Sequence, residues 1–370
     1  MVEIVRDREL LPIVEKVMAG ERLSFEDGVK LFKSYDIHTI GALANWVAEK
    51  KNGKFAYFNV NVHITPTNVC VGTCKFCAFK RKKGEEGAYQ LTTEEIVEKL
   101  RSSIEENPNL TEVHIVGGLH PDWGLEEYKE IIRAVKEEFP DIHIKAYTAE
   151  EIKYMAEKSG KSVEEVLREL IEAGLGSMPG GGGEIFKEEV RKRVCPDKIS
   201  GEEYLEIHKI AHRLGLKSNA TMLFGHIESV EDRVDHLLRL REAQDETGGF
   251  QTFIPLAFHP VNTEIPGANY TTGFDELKTI AVSRLILDNF PHIKAYWVML
   301  GEKIAQVALQ FGADDIDGTV VEEDITQAAG ARAGQYIPKS RLIKLIREAG
   351  KIPVERDTLY NVIKIYREEP

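Results

Sequence analysis

From about residue 55 to about residue 320 the chain alternates strand-like and helix-like segments, and nothing else in it constrains the fold as much. "FAYFNVNVHIT", "EVHIVGG", "IHIKAYT", "LGSMPG", "KSNATMLFG", "FQTFIPLAF", "HIKAYWV" and "DIDGTV" read as strands. Between them run segments with helical spacing of apolar residues, such as "TTEEIVEKLRSSIEEN", "GLEEYKEIIRAVKEEF", "EEYLEIHKIAHRLG" and "VEDRVDHLLRLREAQDETG". Several open on Ser or Thr with acids in the first turn, the pattern of a capped helix start. Parallel strands need crossover helices, so the alternation predicts a mostly parallel sheet. About eight such units fit a closed α/β barrel of the (β/α)8 TIM type. A doubly wound open sheet is the alternative.

The flanks differ. Residues 1–54 read as a helical extension, through "LLPIVEKVMAG", "SFEDGVKLFKSY" and "TIGALANWVAEKKNG". Residues 55–330 hold the barrel. Residues 331–370 read as a C-terminal extension of helix and irregular strand packed on it. No apolar run approaches a membrane span, and the charged N-terminus lacks the apolar stretch of a secretory signal. A cytoplasmic protein is expected. The net charge of −13 argues against nucleic acid as a partner. The one basic run, "KFCAFKRKKGEEG", is short and followed at once by acid, so it reads as a solvated loop.

In barrels of this kind the chemistry sits at the C-terminal ends of the strands. "NVCVGTCKFCAF" (68–79) follows the first strand, "GGLHPDWG" the second, "YTAEE" the third, "PGGGGE" the fourth, "GHIES" the fifth and "HPVNTE" the sixth. They converge on one cavity. The chain has four cysteines, and three of them, Cys70, Cys74 and Cys77, fall within eight positions. Clustered cysteines in such a setting mean metal or redox chemistry rather than disulfides. Zinc and an iron–sulfur cluster are the candidates. Structural zinc takes four ligands in separated pairs, and the fourth cysteine, Cys195, stands alone in "KRVCPDKIS". Three thiolates on a [4Fe–4S] cubane leave one iron open to a small molecule.

Cys70-x3-Cys74-x2-Cys77 after the first barrel strand resembles the radical S-adenosylmethionine (SAM) superfamily over roughly residues 55–330. The resemblance implies a [4Fe–4S] cluster on Cys70, Cys74 and Cys77, with SAM chelating the open iron. It implies that Gly117 and Gly118 of "GGLHP" lie near the SAM amino group and are small for that reason. Phe76 or Phe79 would stand near the adenine. "TMLFGHIES" (221–229) resembles the segment that flanks the adenine, which brings in Met222 and His226, with Asn219 just before it on the same strand. Within the superfamily, the cysteine, "GGLHPDWGLEEY", "SMPGGGGEIF" and "TMLFGHIES" segments look like the group of the two futalosine-route menaquinone enzymes and the deazaflavin (F420) synthases. "KAYTAEEI" and "FIPLAFHPVNTE" most resemble the aminodeoxyfutalosine synthase family.

That family resemblance implies a transferase that consumes SAM as co-substrate. The 5′-deoxyadenosyl radical adds to the enol-ether double bond of 3-[(1-carboxyvinyl)oxy]benzoate, a chorismate-derived molecule. The aryl group migrates, a carboxylate leaves, and 6-amino-6-deoxyfutalosine forms. An electron donor such as flavodoxin or ferredoxin is implied. A dicarboxylate substrate in an acidic protein needs local donors: His259 at the end of the sixth strand is the first choice, with Asn262 and Thr263 nearby. Gly182 in the glycine run allows close backbone approach, and Glu184 beyond it is placed to accept a ribose hydroxyl. Tyr147 and Thr148 end the third strand and are expected to line the cavity, with a core position the other reading of Tyr147, while Glu150 is expected to cap the next helix. Cys195 reads as structural, and "YWVML" (296–300) as core. The competing readings are the sister cyclase, which closes dehypoxanthine futalosine; a deazaflavin synthase-like enzyme; and a non-catalytic iron–sulfur or zinc barrel.

Overall fold

The strands read from the sequence form in the computed structural model, which describes residues 5–321 and 323–367. They are β1 (Phe55–Asn59), β2 (Asn61–Ile64), β3 (Glu112–Ile115), β4 (His143–Ala146), β5 (Ser177–Met178), β6 (Lys217–Phe224), β7 (Phe250–Ala257), β8 (His292–Ile293), β9 (Asp315–Gly318), β10 (Ile352–Arg356) and β11 (Val362–Ile365). β2 through β8 form a seven-stranded sheet in chain order, and every neighbouring pair is parallel. β9 joins the two ends of that sheet. On one side the Ala295 N–H donates to the Asp315 carbonyl (2.8 Å) and the Asp314 N–H to Ile293 (3.0 Å). On the other side β9 runs parallel to β1, and the His63 N–H donates to the Val321 carbonyl (3.2 Å). β1 and β2 are one run broken at Val60, so the strand positions close into the expected (β/α)8 ring.

Helices follow the strands and start where side chains cap them. Thr92 with Glu95, Ser200 with Glu203 and Ser229 with Asp232 make reciprocal capping boxes, which satisfy orphan N–H groups at the helix entries. The N-terminal helices are Leu11–Ala19, Phe25–Lys33 and Ile37–Asn52, and the last packs along the helix Gly273–Ile286. After the helix Lys339–Glu348, β10 pairs in parallel with β1 and β11 folds back antiparallel on β10. The C-terminal segment therefore adds regular strands to the sheet where helix and irregular strand were expected. Among the described residues no helix is long and apolar enough to cross a membrane.

"HIKAYWV" is strand only to Ile293, and a helix already begins at Trp297. The Trp297 indole N–H donates to the Gly318 carbonyl (2.9 Å), which ties this residue inward, and Gly301 absorbs a kink at φ 75°.

The inside of the barrel is unusual. Interiors of this fold are commonly filled by branched apolar side chains. Here Val62, Val113 and Ile144 join the core beneath the helices. Their alternate neighbours His63, His114 and Lys145, aligned in register across β2, β3 and β4, face a cavity.

Candidate active site

The cysteine loop leaves β2 and is stapled to three other strand-end loops. The Val71 N–H donates to Leu119 (3.0 Å), the Lys75 N–H to Val194 (2.8 Å), and the Glu264 N–H to Lys75 (2.7 Å). Within the loop the Cys70 N–H donates to Arg81 (2.9 Å). The basic run folds back on this loop: Lys82 Nζ reaches the carbonyls of Cys70, Val71 and Gly72, and Lys80 Nζ that of Cys74. These lysines cap loop carbonyls.

Cys74 is buried, while Cys70 and Cys77 are half-buried, and all three line the cavity. Burial pushes the Cys74 thiol up to about 12, against the opposing pull of Lys198. Cys195 packs with Cys74, Val194, Leu223, Phe258 and Ile265 in an apolar cluster. It does not line the cavity. Among the described residues no three His, Cys, Asp or Glu side chains converge on the point a single metal ion would occupy.

The cavity measures about 720 Å³ and runs from these cysteines into the barrel. It gathers Phe76, Phe79, Gly117, Gly118, Thr148, Gly182, Glu184, Asn219 and His259 from separate strand ends. Tyr147, Met222 and His226 stay outside it. Along β6 the cavity-lining residues are Asn219, Thr221 and Leu223. Successive side chains of a strand point to opposite faces, so Met222 points into the core instead. Tyr147 sits at φ 60°, a left-handed turn, and its buried hydroxyl donates to the Tyr128 carbonyl (2.7 Å). His226 Nε2 donates to the Leu223 carbonyl (3.0 Å), and the residue borders a separate hollow with Glu228 and Arg233. Asn262 and Thr263 also lie off the cavity, bonded to the carbonyls of Ala328 and Pro260.

The glycine pair is small for a reason internal to the chain. A Cβ on Gly118 would stand 2.3 Å from the Val69 carbonyl oxygen, and one on Gly117 3.0 Å from that of Thr67. It is the cysteine loop's own backbone that lies against them. The Gly117 N–H donates to Glu151 Oε1 (3.1 Å). Glu151 also accepts from the Thr148 N–H and hydroxyl, and this pair, not Glu150, caps the helix Ala149–Ser159. Burial pushes the Glu151 carboxyl up to about 7.

Glu184 is buried, and Lys198 Nζ stands 2.7 Å from its carboxylate. Burial alone would raise this acid; Lys198, with help from Arg191 and His226, holds it below its ordinary value. The same ammonium lies over the Phe76 ring at 5.5 Å. Glu150 accepts from the Ile199 N–H (3.1 Å). His259 Nε2 lies 3.0 Å from the Met299 carbonyl, and its buried Nδ1 has no partner. Burial lowers its pKa, so the ring is neutral. With Nε2–H donating, Nδ1 is an acceptor rather than the donor that a carboxylate needs.

Sequence reading missed Lys198, and it missed His63, His114, Lys145, Lys294 and Asp317 inside the barrel, all of which line the cavity. Polar residues at alternate positions of otherwise apolar strands were the available signal. "YWVML" splits: Trp297, Val298 and Leu300 are core, while Tyr296 and Met299 line the cavity.

The sequence profile of the radical SAM superfamily matches residues 64–240, and that of the CofH/MqnC C-terminal region matches residues 247–369. The aminodeoxyfutalosine synthase of Thermus thermophilus is 48% identical over 98% of both chains. That of Streptomyces coelicolor is 47% identical, over 95% of this chain and 93% of its own. The chain belongs to the aminodeoxyfutalosine synthase family of radical SAM proteins. A cyclic dehypoxanthine futalosine synthase of Halalkalibacterium halodurans is a more distant relative, 40% identical over 96% of both chains. The crystal structure of methylornithine synthase superposes with a TM-score of 0.72 at 18% identity, covering 92% of this chain and 96% of that one, and shows the shared fold.

Radical SAM enzymes use a [4Fe–4S] cluster and SAM, and the donors present suit both. A single tetrahedral ion would draw thiolates to about 2.3 Å of one point; here three thiols border a space instead. Beyond them the cavity offers aromatic faces, glycine backbone and an ionised carboxylate, the surfaces a nucleoside needs.

Proposed function

We propose that this chain is an aminodeoxyfutalosine synthase, which joins the 5′-deoxyadenosyl group of SAM to 3-[(1-carboxyvinyl)oxy]benzoate in menaquinone biosynthesis. The observation that carries the reading is 48% identity to the Thermus thermophilus enzyme across 98% of both chains. Cys70, Cys74 and Cys77 would hold a [4Fe–4S] cluster, whose reduction would supply the electron that cleaves SAM to methionine and a 5′-deoxyadenosyl radical. The remaining work belongs to the chain. Phe76 and Phe79 offer ring faces to the adenine, and Glu184, kept ionised by Lys198, accepts from a ribose hydroxyl. Gly182 and Asn219 border the same space, and Glu151 ties the Gly117–Gly118 loop to Thr148 at the start of the next helix. Neutral His259 presents Nδ1 as an acceptor. A deep cavity keeps water from a carbon radical. The barrel of residues 55–330 carries this chemistry, with 1–54 and 331–370 as extensions, and a cytoplasmic flavodoxin or ferredoxin is the electron donor.

The test is anaerobic turnover with dithionite and SAM labelled in its ribose, run in parallel with the candidate substrate and with dehypoxanthine futalosine. Label in a product with the mass of 6-amino-6-deoxyfutalosine is expected, with methionine and the lost carboxylate. Label only in free 5′-deoxyadenosine, with dehypoxanthine futalosine consumed, would transfer the assignment to the sister cyclase.

A further inference from the structure

The part of the cavity farthest along the strands from the cysteines has no role in the account above. Lys294, Asp317, His63, His114 and Lys145 come from consecutive positions round the ring, from the end of β8 through β9, β2, β3 and β4, and all five face the cavity. They sit on or directly after the strands, whereas the cysteines lie past the strand ends.

An ammonium has three N–H donors. Among the described residues Lys145 directs one to Glu112 (2.5 Å), and Lys294 directs one to Asp317. Glu112 itself does not line the cavity. Each ammonium is thus matched by a carboxylate, Lys294 lying also 3.9 Å from Asp315, and each keeps N–H donors to spare. His63 Nε2 and His114 Nδ1 are 3.3 Å apart, and the buried His114 Nε2 has no partner. Burial keeps both rings neutral, with His63 held down to about 4. Two neutral imidazoles sharing one hydrogen bond leave one N–H and one lone pair facing outward. Leu223, Ile254 and Leu256 of β6 and β7 give the same cavity an apolar wall. An arc of two ammonium groups with free donors, facing an apolar wall, is the shape of a site for a flat ring bearing an acid.

We propose that this arc is the subsite for the aryl carboxylate of the substrate, with Lys145 and Lys294 as its specificity-determining cations. The inference rests on the functional reading above and names the end of the substrate that enters first. The enol-ether double bond then lies toward the cysteines, where the adenosyl group arrives, and the ring acid stays anchored while the aryl group migrates.

The test uses the cluster-loaded, SAM-bound protein titrated calorimetrically with 3-methoxybenzoate and with its neutral isostere 3-methoxybenzamide. The wild type should prefer the carboxylate by roughly tenfold or more, the range expected for charge-assisted hydrogen bonds. Lys294→Met made together with Asp317→Asn, and Lys145→Met together with Glu112→Gln, remove each pair without leaving a lone buried charge. Each double variant should cut carboxylate affinity by roughly tenfold and leave the amide and SAM unchanged. Equal affinity of the wild type for the two probes overturns the inference without any variant, as does a parallel loss of both probes in the variants. Charge-selective binding in a protein that does not convert the enolpyruvyl benzoate would sink the functional reading alone. Turnover by a wild type that does not distinguish the probes would sink the subsite alone.

Discussion

Replacing Gly118 with alanine tests whether the glycine pair serves the cysteine loop or only a ligand. The added Cβ would lie 2.3 Å from the Val69 carbonyl oxygen, 2.8 Å from its carbonyl carbon and 3.1 Å from Cys70 Cβ. Carbon–oxygen contacts of this kind settle at about 3.3–3.6 Å, so backbone must move by roughly 1 Å. No rotamer relieves the clash, because the obstructing atoms belong mostly to the main chain. The two strands of this contact are also tied together, by Gly118 N–H to Thr67 (2.8 Å) and Val71 N–H to Leu119 (3.0 Å). Overpacking of this sort costs about 1–3 kcal/mol. Its consequence falls on Cys70, which must shift with Val69. We therefore expect Gly118→Ala to lose most of its iron after anaerobic reconstitution, read by iron assay and cluster absorbance. Gly124→Ala is the control: a Cβ there meets nothing closer than Glu127 at 3.5 Å, and iron should be retained. A Gly118→Ala protein with full iron and weakened SAM binding would refute the argument and restore the view that these glycines make room for SAM.

Other outcomes follow from the same geometry. Cys74→Ala should abolish the cluster, whereas Cys195→Ala should keep it, because Cys195 packs in the apolar cluster beside Cys74 and does not line the cavity; iron content decides. Tyr147→Phe should lower stability by about 1 kcal/mol, since it removes the buried hydroxyl's hydrogen bond to the Tyr128 carbonyl, and should leave SAM affinity unchanged. Glu151 carries a pH signature: an acid held at about 7 when folded, against 4.5 ordinarily, keeps its proton longer in the native state. Stability must then fall as pH rises between about 4.5 and 7, by up to about 1.4 kcal/mol per pH unit. Melting curves of the apo protein across that window should show a shallower fall in Glu151→Gln, and parallel curves would contradict the assignment.

The alternation of strands and helices, the capped helix starts and the cysteine spacing were all readable from the chain, because each is set by neighbours a few residues apart. Strand-like runs alternating with helical ones placed the strands, and strand-end loops pointed to one cavity. The same local logic, applied along β6, separates Asn219 from Met222, which share a strand but not a face. What local pattern does not contain is which backbone lies against which. Gly118 is small because Val69 and Cys70, nearly fifty residues earlier, press on it, and that contact exists only once β2 and β3 are side by side. Tyr147 looked like a strand-end residue facing the cavity until its left-handed turn aimed it at Tyr128. Lys198 became part of the site only when the loop after β5 brought it to Glu184 and over Phe76. His63, His114, Lys145, Lys294 and Asp317 are scattered over more than 250 positions of sequence, and ring closure alone gathers them into one arc. Charge at a distance and steric contact depend on separation in space, and only the closed barrel defines it.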